Sequence, residues 1–323
     1  AYNKMILYSI IIPHYNSPTL LARCIESIPH RNDIQIIVVD DCSSQEHQKR
    51  LKDFSNSYNN VQFIFSSKNG GAGAARNIGL TYAKGEWVLF ADADDYFLED
   101  AFSIFDNHVN DKEGAILFGN KSVSSKSIIN TRGNFINDNI KFFIENHLSA
   151  QLTFLCTWVP WAKMIKRNYI EKYQFKFEEV KYGNDVFWNT QIAANTERIA
   201  IYQQPVYAIT QEKNSLTTNR NSVAFFTRYN VSKRANQYLD KINKTFLKQP
   251  VTLEFASWAR ELGFHFYISF LCKSIRQNCI FEGKNIWVTF AKINNNVLCK
   301  SPILFLIILL LIPSFFLKMR KIQ

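Results

Sequence analysis

The sequence predicts an α/β fold built on a mostly parallel sheet with helices on both faces. Three observations carry this. Apolar runs of strand length alternate with helical segments over residues 8–119. The runs are continuous rather than alternating, as in strands buried on both faces. Polar and acidic residues gather at the carboxyl ends of these runs, where open α/β sheets bind their ligands.

In order, Tyr8–Pro13 is a first short apolar run. Ser17-Pro18 starts a helix that runs to about Ile28, with Ser at the cap and Pro in the first turn. Ile34–Val39 is a second strand, Gln45–Phe54 a polar helix and Val61–Phe65 a third strand. Glycines open a helix over Ala72–Ala83, Trp87–Ala91 is a fourth strand and Ala115–Phe118 a fifth. Residues 120–150 read as a loop followed by the helix Ile140–His147. Beyond 216 the pattern is helical and basic, as in Ser222–Leu239 and Leu253–Ile275. Four stretches follow: 1–119, 120–218, a basic helical region 219–300 and a hydrophobic tail 301–323.

Composition narrows the function classes. With 323 residues, 47% hydrophobic and 15% aromatic, the chain can bury a substantial core. Cys24, Cys42, Cys156, Cys272, Cys279 and Cys299 form no Cys-x-x-Cys pair and no zinc spacing, so free thiols in a reducing compartment are expected. Tyr8–Pro13 is too short for a secretory leader and runs into a turn. Residues 220–323 carry 16 Lys/Arg against 4 Asp/Glu, whereas residues 1–219 are near neutral. Such a basic segment suits nucleic acid or an anionic membrane. The apolar run Pro302–Leu317, bracketed by Lys300, Lys318, Arg320 and Lys321, favours a monotopic membrane anchor or re-entrant hairpin over a nucleic-acid surface, with a buried core helix as the alternative.

The chemistry concentrates after the fourth strand, in Trp87-Val-Leu-Phe-Ala-Asp-Ala-Asp-Asp-Tyr-Phe97. Alternate side chains of an extended backbone point the same way, so Asp92 and Asp94 can converge on one hard cation. Helix capping is the other use for such acids. Gly70–Arg76 mimics a dinucleotide fingerprint but follows the third strand, not the first, and ends in Arg.

Together, Ser9-Ile-Ile-Ile-Pro-His-Tyr-Asn16, Ile37-Val-Val-Asp-Asp-Cys-Ser43, Asn69-Gly-Gly-Ala-Gly-Ala-Ala-Arg-Asn-Ile-Gly79 and Gly85-Glu-Trp-Val-Leu-Phe-Ala-Asp-Ala-Asp-Asp95 resemble family 2 glycosyltransferases of the GT-A, Rossmann-like fold. The likeness continues more weakly through Trp161-Ala-Lys163, Gly183-Asn-Asp185 and Asn214-Ser-Leu-Thr217. The resemblance implies an inverting transferase that uses a UDP-sugar. Pro13, Tyr15 and Asp40 would border the base, with Asp40 accepting its N3–H. Asn69, Gly70 and Arg76 would lie along the nucleotide, and Asp92, Ala93 and Asp94 against the diphosphate. Asp94, with Asp92, would hold Mn²⁺ or Mg²⁺.

The resemblance makes Asp185 the base that deprotonates the acceptor hydroxyl. Family members commonly carry Glu-Asp there, whereas this chain has Asn184-Asp185. Capping of the following helix is the plainer use of Asp185, and Glu178 and Glu179 are reserve bases. Asp95, Trp161 and Asn184 are candidate acceptor contacts. Trp158 and Trp161 could stack on sugars or fill the core. The six histidines show no ligand spacing.

The expected partners are a UDP-sugar, a glycan or lipid-linked glycan acceptor and an anionic membrane surface, with a homo-oligomer possible and no nucleic acid. The expected setting is bacterial surface-polysaccharide synthesis at the cytoplasmic membrane face. A sugar nucleotidyltransferase would want a Gly-rich, Arg-bearing loop after strand one, where His-Tyr-Asn-Ser-Pro stands. A non-catalytic scaffold would have no need of Asp185.

Overall fold

The computed structural model describes residues 5–55, 58, 60–124, 130–210 and 219–276. The chain divides into two units, residues 1–218 and 219–323. Asn214–Thr217 and Pro302–Leu317 lie outside the described residues, as do Cys279 and Cys299.

The first unit holds an eight-stranded sheet in the order β3-β2-β1-β4-β7-β6-β8-β5. Its strands are β1 (Tyr8–His14), β2 (Ile34–Asp40), β3 (Val61–Phe65), β4 (Trp87–Phe90), β5 (Tyr96–Phe97), β6 (Ala115–Ser122), β7 (Lys163–Lys166) and β8 (Ile199–Ile209). Its helices are α1 (Pro18–Glu26), α2 (Gln45–Ser55), α3 (Gly71–Tyr82), α4 (Ala101–Asp106), α5 (Arg132–Glu145), α6 (Ala150–Cys156), α7 (Arg167–Tyr173) and α8 (Asn184–Asn195).

β1 to β4 run parallel, as the continuous apolar runs require, and every residue of β1 and β4 is buried. The other half departs from the expected mostly parallel sheet. β7 runs antiparallel to both β4 and β6, and β5 antiparallel to β8. The sheet is therefore mixed. The two-residue β5 and the four-residue β7 are too short to leave a periodic signal in sequence. α5 begins at Arg132, well before the expected Ile140.

Packing fixes the strand ends closely. A Cβ on Gly85 would lie 2.4 Å from the Ser9 amide nitrogen and 2.6 Å from the Tyr8 carbonyl carbon. The turn into β4 thus rests directly on β1. The Ser9 hydroxyl clamps that turn by accepting from the amides of Lys84 at 3.0 Å and Gly85 at 2.8 Å.

The second unit comprises α9 (Ser222–Lys241), a 3-10 turn (Thr245–Leu247), α10 (Val251–Glu261) and α11 (Phe264–Arg276). Phe225 is its aromatic centre, packed against Tyr229, Phe255, Trp258, Phe266 and Phe270. The single helix expected over Leu253–Ile275 is two, because Gly263 adopts φ 123°, a conformation L side chains rarely take. Among the described residues no helix is long and apolar enough to cross a membrane. Cys24, Cys42 and Cys272 are free thiols.

Because backbone rather than a pliable side chain opposes a Cβ at Gly85, Gly85→Ala should destabilise by about 1–3 kcal/mol. At about 2–4 °C per kcal/mol for a domain of this size, thermal unfolding should show a visible drop in midpoint.

Candidate functional site

The in-register pairing of β1 with β2 sets His14 beside Asp40. His14 Nδ1 lies 2.9 Å from Asp40 Oδ1, and His14 Nε2 accepts from the Ser17 amide at 3.1 Å. Since Nε2 is the acceptor, the ring proton sits on Nδ1 and is donated to Asp40. Asp40 also accepts from the Ser43 hydroxyl at 2.5 Å, the Ser43 amide at 3.1 Å and Gln48 at 3.4 Å. Burial works against this carboxylate, but the hydrogen bonds from His14 and Ser43 hold its pKa below the usual value. Asp40 is fully buried, so it is not a free acceptor waiting at a pocket wall. A base edge would have to replace one of its present donors. Pro13 is buried within β1, whereas Tyr15 is 52% exposed.

Asp41, next in the chain, bonds to backbone rather than to a side chain. Its carboxylate accepts from the amides of Gly70 at 2.8 Å and Gly71 at 2.7 Å, tying the end of β2 to the start of α3. It therefore serves α3 rather than the next element, α2. Asn16, at φ 52°, donates its amide to the Ser43 hydroxyl at 2.9 Å and accepts from the Ser44 amide at 2.9 Å. The loops after β1, β2 and β3 form one hydrogen-bonded ledge, from which Asn69 projects into solvent.

On α3, the buried Arg76 reaches across the sheet. Its Nη2 donates to Asp92 Oδ1 at 2.6 Å and its Nη1 to Asn184 Oδ1 at 2.9 Å. The guanidinium carbon lies 5.2 Å from the centre of the Phe177 ring. Phe177 stacks on Trp188 of α8 at 4.3 Å, and Trp188 packs edge-on to Phe90 of β4. Gly73 allows this approach, because a Cβ there would sit 2.4 Å from the Glu178 carbonyl oxygen. Glu179 takes a hydrogen bond from Asn77 at 3.3 Å.

Asp92, Asp94 and Asp95 follow β4, with one carboxylate oxygen from each within 4.8 Å of the others. Thr210 at the end of β8 organises them. Its hydroxyl donates to the Asp94 carbonyl at 2.5 Å and its amide to Asp95 Oδ1 at 2.7 Å. The Arg23 guanidinium also donates to the Asp94 carbonyl. Ala93 is buried between the acids. Three hard oxygens at this spacing suit Mg²⁺ or Mn²⁺.

Two acceptor-contact expectations need correction. Asp95 is only 2% exposed, and burial, then repulsion from Asp94 and Asp92, pushes its pKa well up. It is an internal anchor for Thr210, not a surface that meets an acceptor. Trp161 is 2% exposed and stacks on Tyr207 at 5.2 Å, so it is core. The tryptophan at the surface is Trp158, 38% exposed.

Asp185 lies in the first turn of α8, and the N-cap position belongs to Gly183, at φ 74°. Burial raises its carboxyl to about pKa 6, opposed by the charge of Arg76 and reinforced by Asp92. Lys163, on β7, lies buried nearby. The structure thus brings Arg76, Asp92, Asn184 and Asp185 together around one guanidinium. It leaves Trp161 and Asp95 in the interior and Asn69 exposed at the rim. Sequence reasoning gave no role to His14 or Lys163, although both lie within quoted motifs, and it missed Arg23, Tyr207 and Thr210, which no motif marks and which the fold brings in from α1 and the end of β8.

Replacing Asp41 by Ala leaves the Gly70 and Gly71 amides without their acceptor. The expected cost is about 1–3 kcal/mol, read as a lower denaturant midpoint.

The glycosyl transferase family 2 model matches residues 9–173. Glycosyltransferase GlyA of Streptococcus pneumoniae serotype 4 is 26% identical over 223 residues, which is 65% of this chain and 31% of GlyA. Poly(ribitol-phosphate) beta-N-acetylglucosaminyltransferase TarS of Staphylococcus aureus strain MW2 is 26% identical over 216 residues, 63% of this chain and 35% of TarS. The chain spans about a third of the length of these curated relatives. Among solved structures, S. aureus TarS 1-349 in complex with UDP-GlcNAc matches with TM-score 0.64 at 19% identity, covering 85% of this chain and 81% of that one. The mannosyltransferase PcManGT from Pyrobaculum calidifontis, in complex with GDP-Man and Mn²⁺, matches with TM-score 0.52 at 15% identity, covering 91% and 81%. Both likenesses establish the GT-A-like mixed α/β fold.

Proposed function

The chain belongs to glycosyl transferase family 2, and from that premise we propose an inverting glycosyltransferase that moves a sugar from a UDP-sugar to a hydroxyl of a bacterial surface glycan. The observation that carries this reading is the single guanidinium of Arg76, which joins Asp92 to Asn184, the residue beside Asp185. A donor-side carboxylate and a base-side helix are thereby held at one place.

The ledge formed by the loops after β1 to β3 is the proposed uridine site. Tyr15 supplies the exposed ring, and Pro13 and Asp40 form the wall behind it. Asp40 reaches the base by exchanging its longest bond, that to Gln48 at 3.4 Å. Asn69, Gly70 and Arg76 line the path to the diphosphate, with Asp92, Ala93 and Asp94 at its end. Asp94 and Asp92 would hold Mn²⁺ or Mg²⁺, which neutralises charge on the departing UDP when bound.

Asp185 is the proposed base. Its pKa of about 6 leaves it ionised at neutral pH yet basic enough to take a proton from an acceptor hydroxyl. Trp158, rather than Trp161, is the aromatic surface offered to acceptor sugar. TarS is named for a poly(ribitol-phosphate) acceptor, and an anionic or lipid-linked glycan would suit the basic residues 220–323 of this chain. These also support work against an anionic membrane at the cytoplasmic face.

Metal-dependent release of UDP from UDP-GlcNAc or UDP-glucose tests the reading without a known acceptor. Asp185→Asn should lower kcat by about 10²–10⁴-fold while UDP binding persists. Asp94→Ala should abolish the metal-dependent part. A base must be deprotonated to act, so kcat/KM should rise with pH to a plateau above an acid limb centred near pH 6. A flat profile from pH 5 to 8 would contradict Asp185 as the base.

A further inference from the structure

The buried Lys163 stands out because the proposed chemistry gives it no task. It sits on β7 behind α8, 1% exposed, and its hydrogen bonds go to a backbone carbonyl and a side-chain amide. Its Nζ donates to the Thr157 carbonyl at 2.6 Å and to Asn189 Oδ1 at 2.5 Å. The Phe154 ring centre lies 4.0 Å from Nζ. Two oxygens and one aromatic face match the three donors of an ammonium ion.

Burial pushes the pKa of Lys163 well down, and only Asp185 opposes that push. The short donor distances and the ring contact nevertheless suit the charged form, because a neutral amine would turn its lone pair toward a π-face. Burying a cation costs stability that an apolar residue of the same shape would not.

Each contact leads to the proposed chemistry. Asn189, fully buried on α8, donates its Nδ2 to the Asp185 carbonyl at 2.8 Å. Thr157 is the C-cap of α6 and immediately precedes the exposed Trp158. One ammonium therefore ties the first turn of α8 to the turn that presents Trp158.

We infer that Lys163 is a positioning residue, fixing Asp185 through Asn189, fixing the acceptor-side turn through Thr157, and holding a positive charge behind the base. This rests on the reading of Asp185 as the base. It also gives a physical role to the Lys of the Trp161-Ala-Lys163 motif. The charged groups that face Asp185 are Arg76 from α3, Asp92 from the segment after β4 and Lys163 from β7. Removing the Lys163 charge leaves burial and Asp92 less opposed, which favours the protonated carboxyl. The acid limb of the rate profile then moves to higher pH.

The test compares Lys163→Met, Asn189→Leu and Asp185→Asn in the full chain, with UDP-GlcNAc or UDP-glucose as donor. UDP affinity with Mn²⁺ serves as the measure of folding. Lys163→Met should bind UDP within about twofold of the parent. Its kcat should fall about 10–100-fold, the scale set by an ångström of misplacement, and its acid limb should shift upward. Asn189→Leu should lower kcat with a smaller shift in the limb, because the ammonium stays. If Lys163→Met loses UDP binding, Asn189→Leu decides: lowered kcat with retained UDP binding supports the inference, and unchanged kcat overturns it. Lys163→Met with intact UDP binding, kcat and limb also overturns it. Full activity in Asp185→Asn would instead remove the base reading itself, an outcome separable from a failure at Lys163 alone.

Discussion

The first unit depends on one buried cation. Arg76 leaves α3, crosses above the carboxyl ends of the central strands and is met by Asp92 from one side and Asn184 from the other. Phe177 underlies it, and Trp188 and Phe90 in turn support Phe177. A buried guanidinium needs its partners, because removal of one leaves an uncompensated charge. The segment after β4 and the start of α8 are therefore both fixed relative to α3. The parallel half of the sheet supplies the ledge and the acids, the remainder supplies α8, and Arg76 is where they meet.

The electrostatics follow from that arrangement. Three acids close together repel one another, and the fold separates their roles by burial. Asp95 is driven toward its neutral form in the interior and takes the Thr210 amide. Asp92 is paired with Arg76. Asp94 has its backbone carbonyl held by Thr210 and Arg23. Asp185 lies within the influence of Arg76, Asp92 and Lys163, and burial prevails, leaving a carboxyl that titrates near 6. Environment alone thus gives chemically similar side chains different tasks.

Much of this was legible in the sequence. Continuous apolar runs announced β1 to β4, and the acids at their ends marked the site. The mixed half was not legible, because β5 and β7 are short and the pairing of β6 with β8 joins residues far apart in the chain. Trp161 and Trp158 illustrate the limit. Both are tryptophans three positions apart, and only the stacking of Trp161 on Tyr207 decides which is core. Asp40 and Asp41 are equally ambiguous as a pair. Strand register gives the first to His14, and loop geometry gives the second to the amides that begin α3. The basic residues 220–323 were visible as charge, whereas the break between α10 and α11 depends on the backbone of Gly263.

The most direct measurement is a crystal structure of the chain with UDP and Mn²⁺. The account predicts uridine on the ledge beside Tyr15, the diphosphate at the Asp92–Asp94 segment with an anomalous manganese peak at Asp94, and Asp185 facing the open side of the diphosphate. Uridine elsewhere, or a manganese peak away from Asp94 and Asp92, would contradict it.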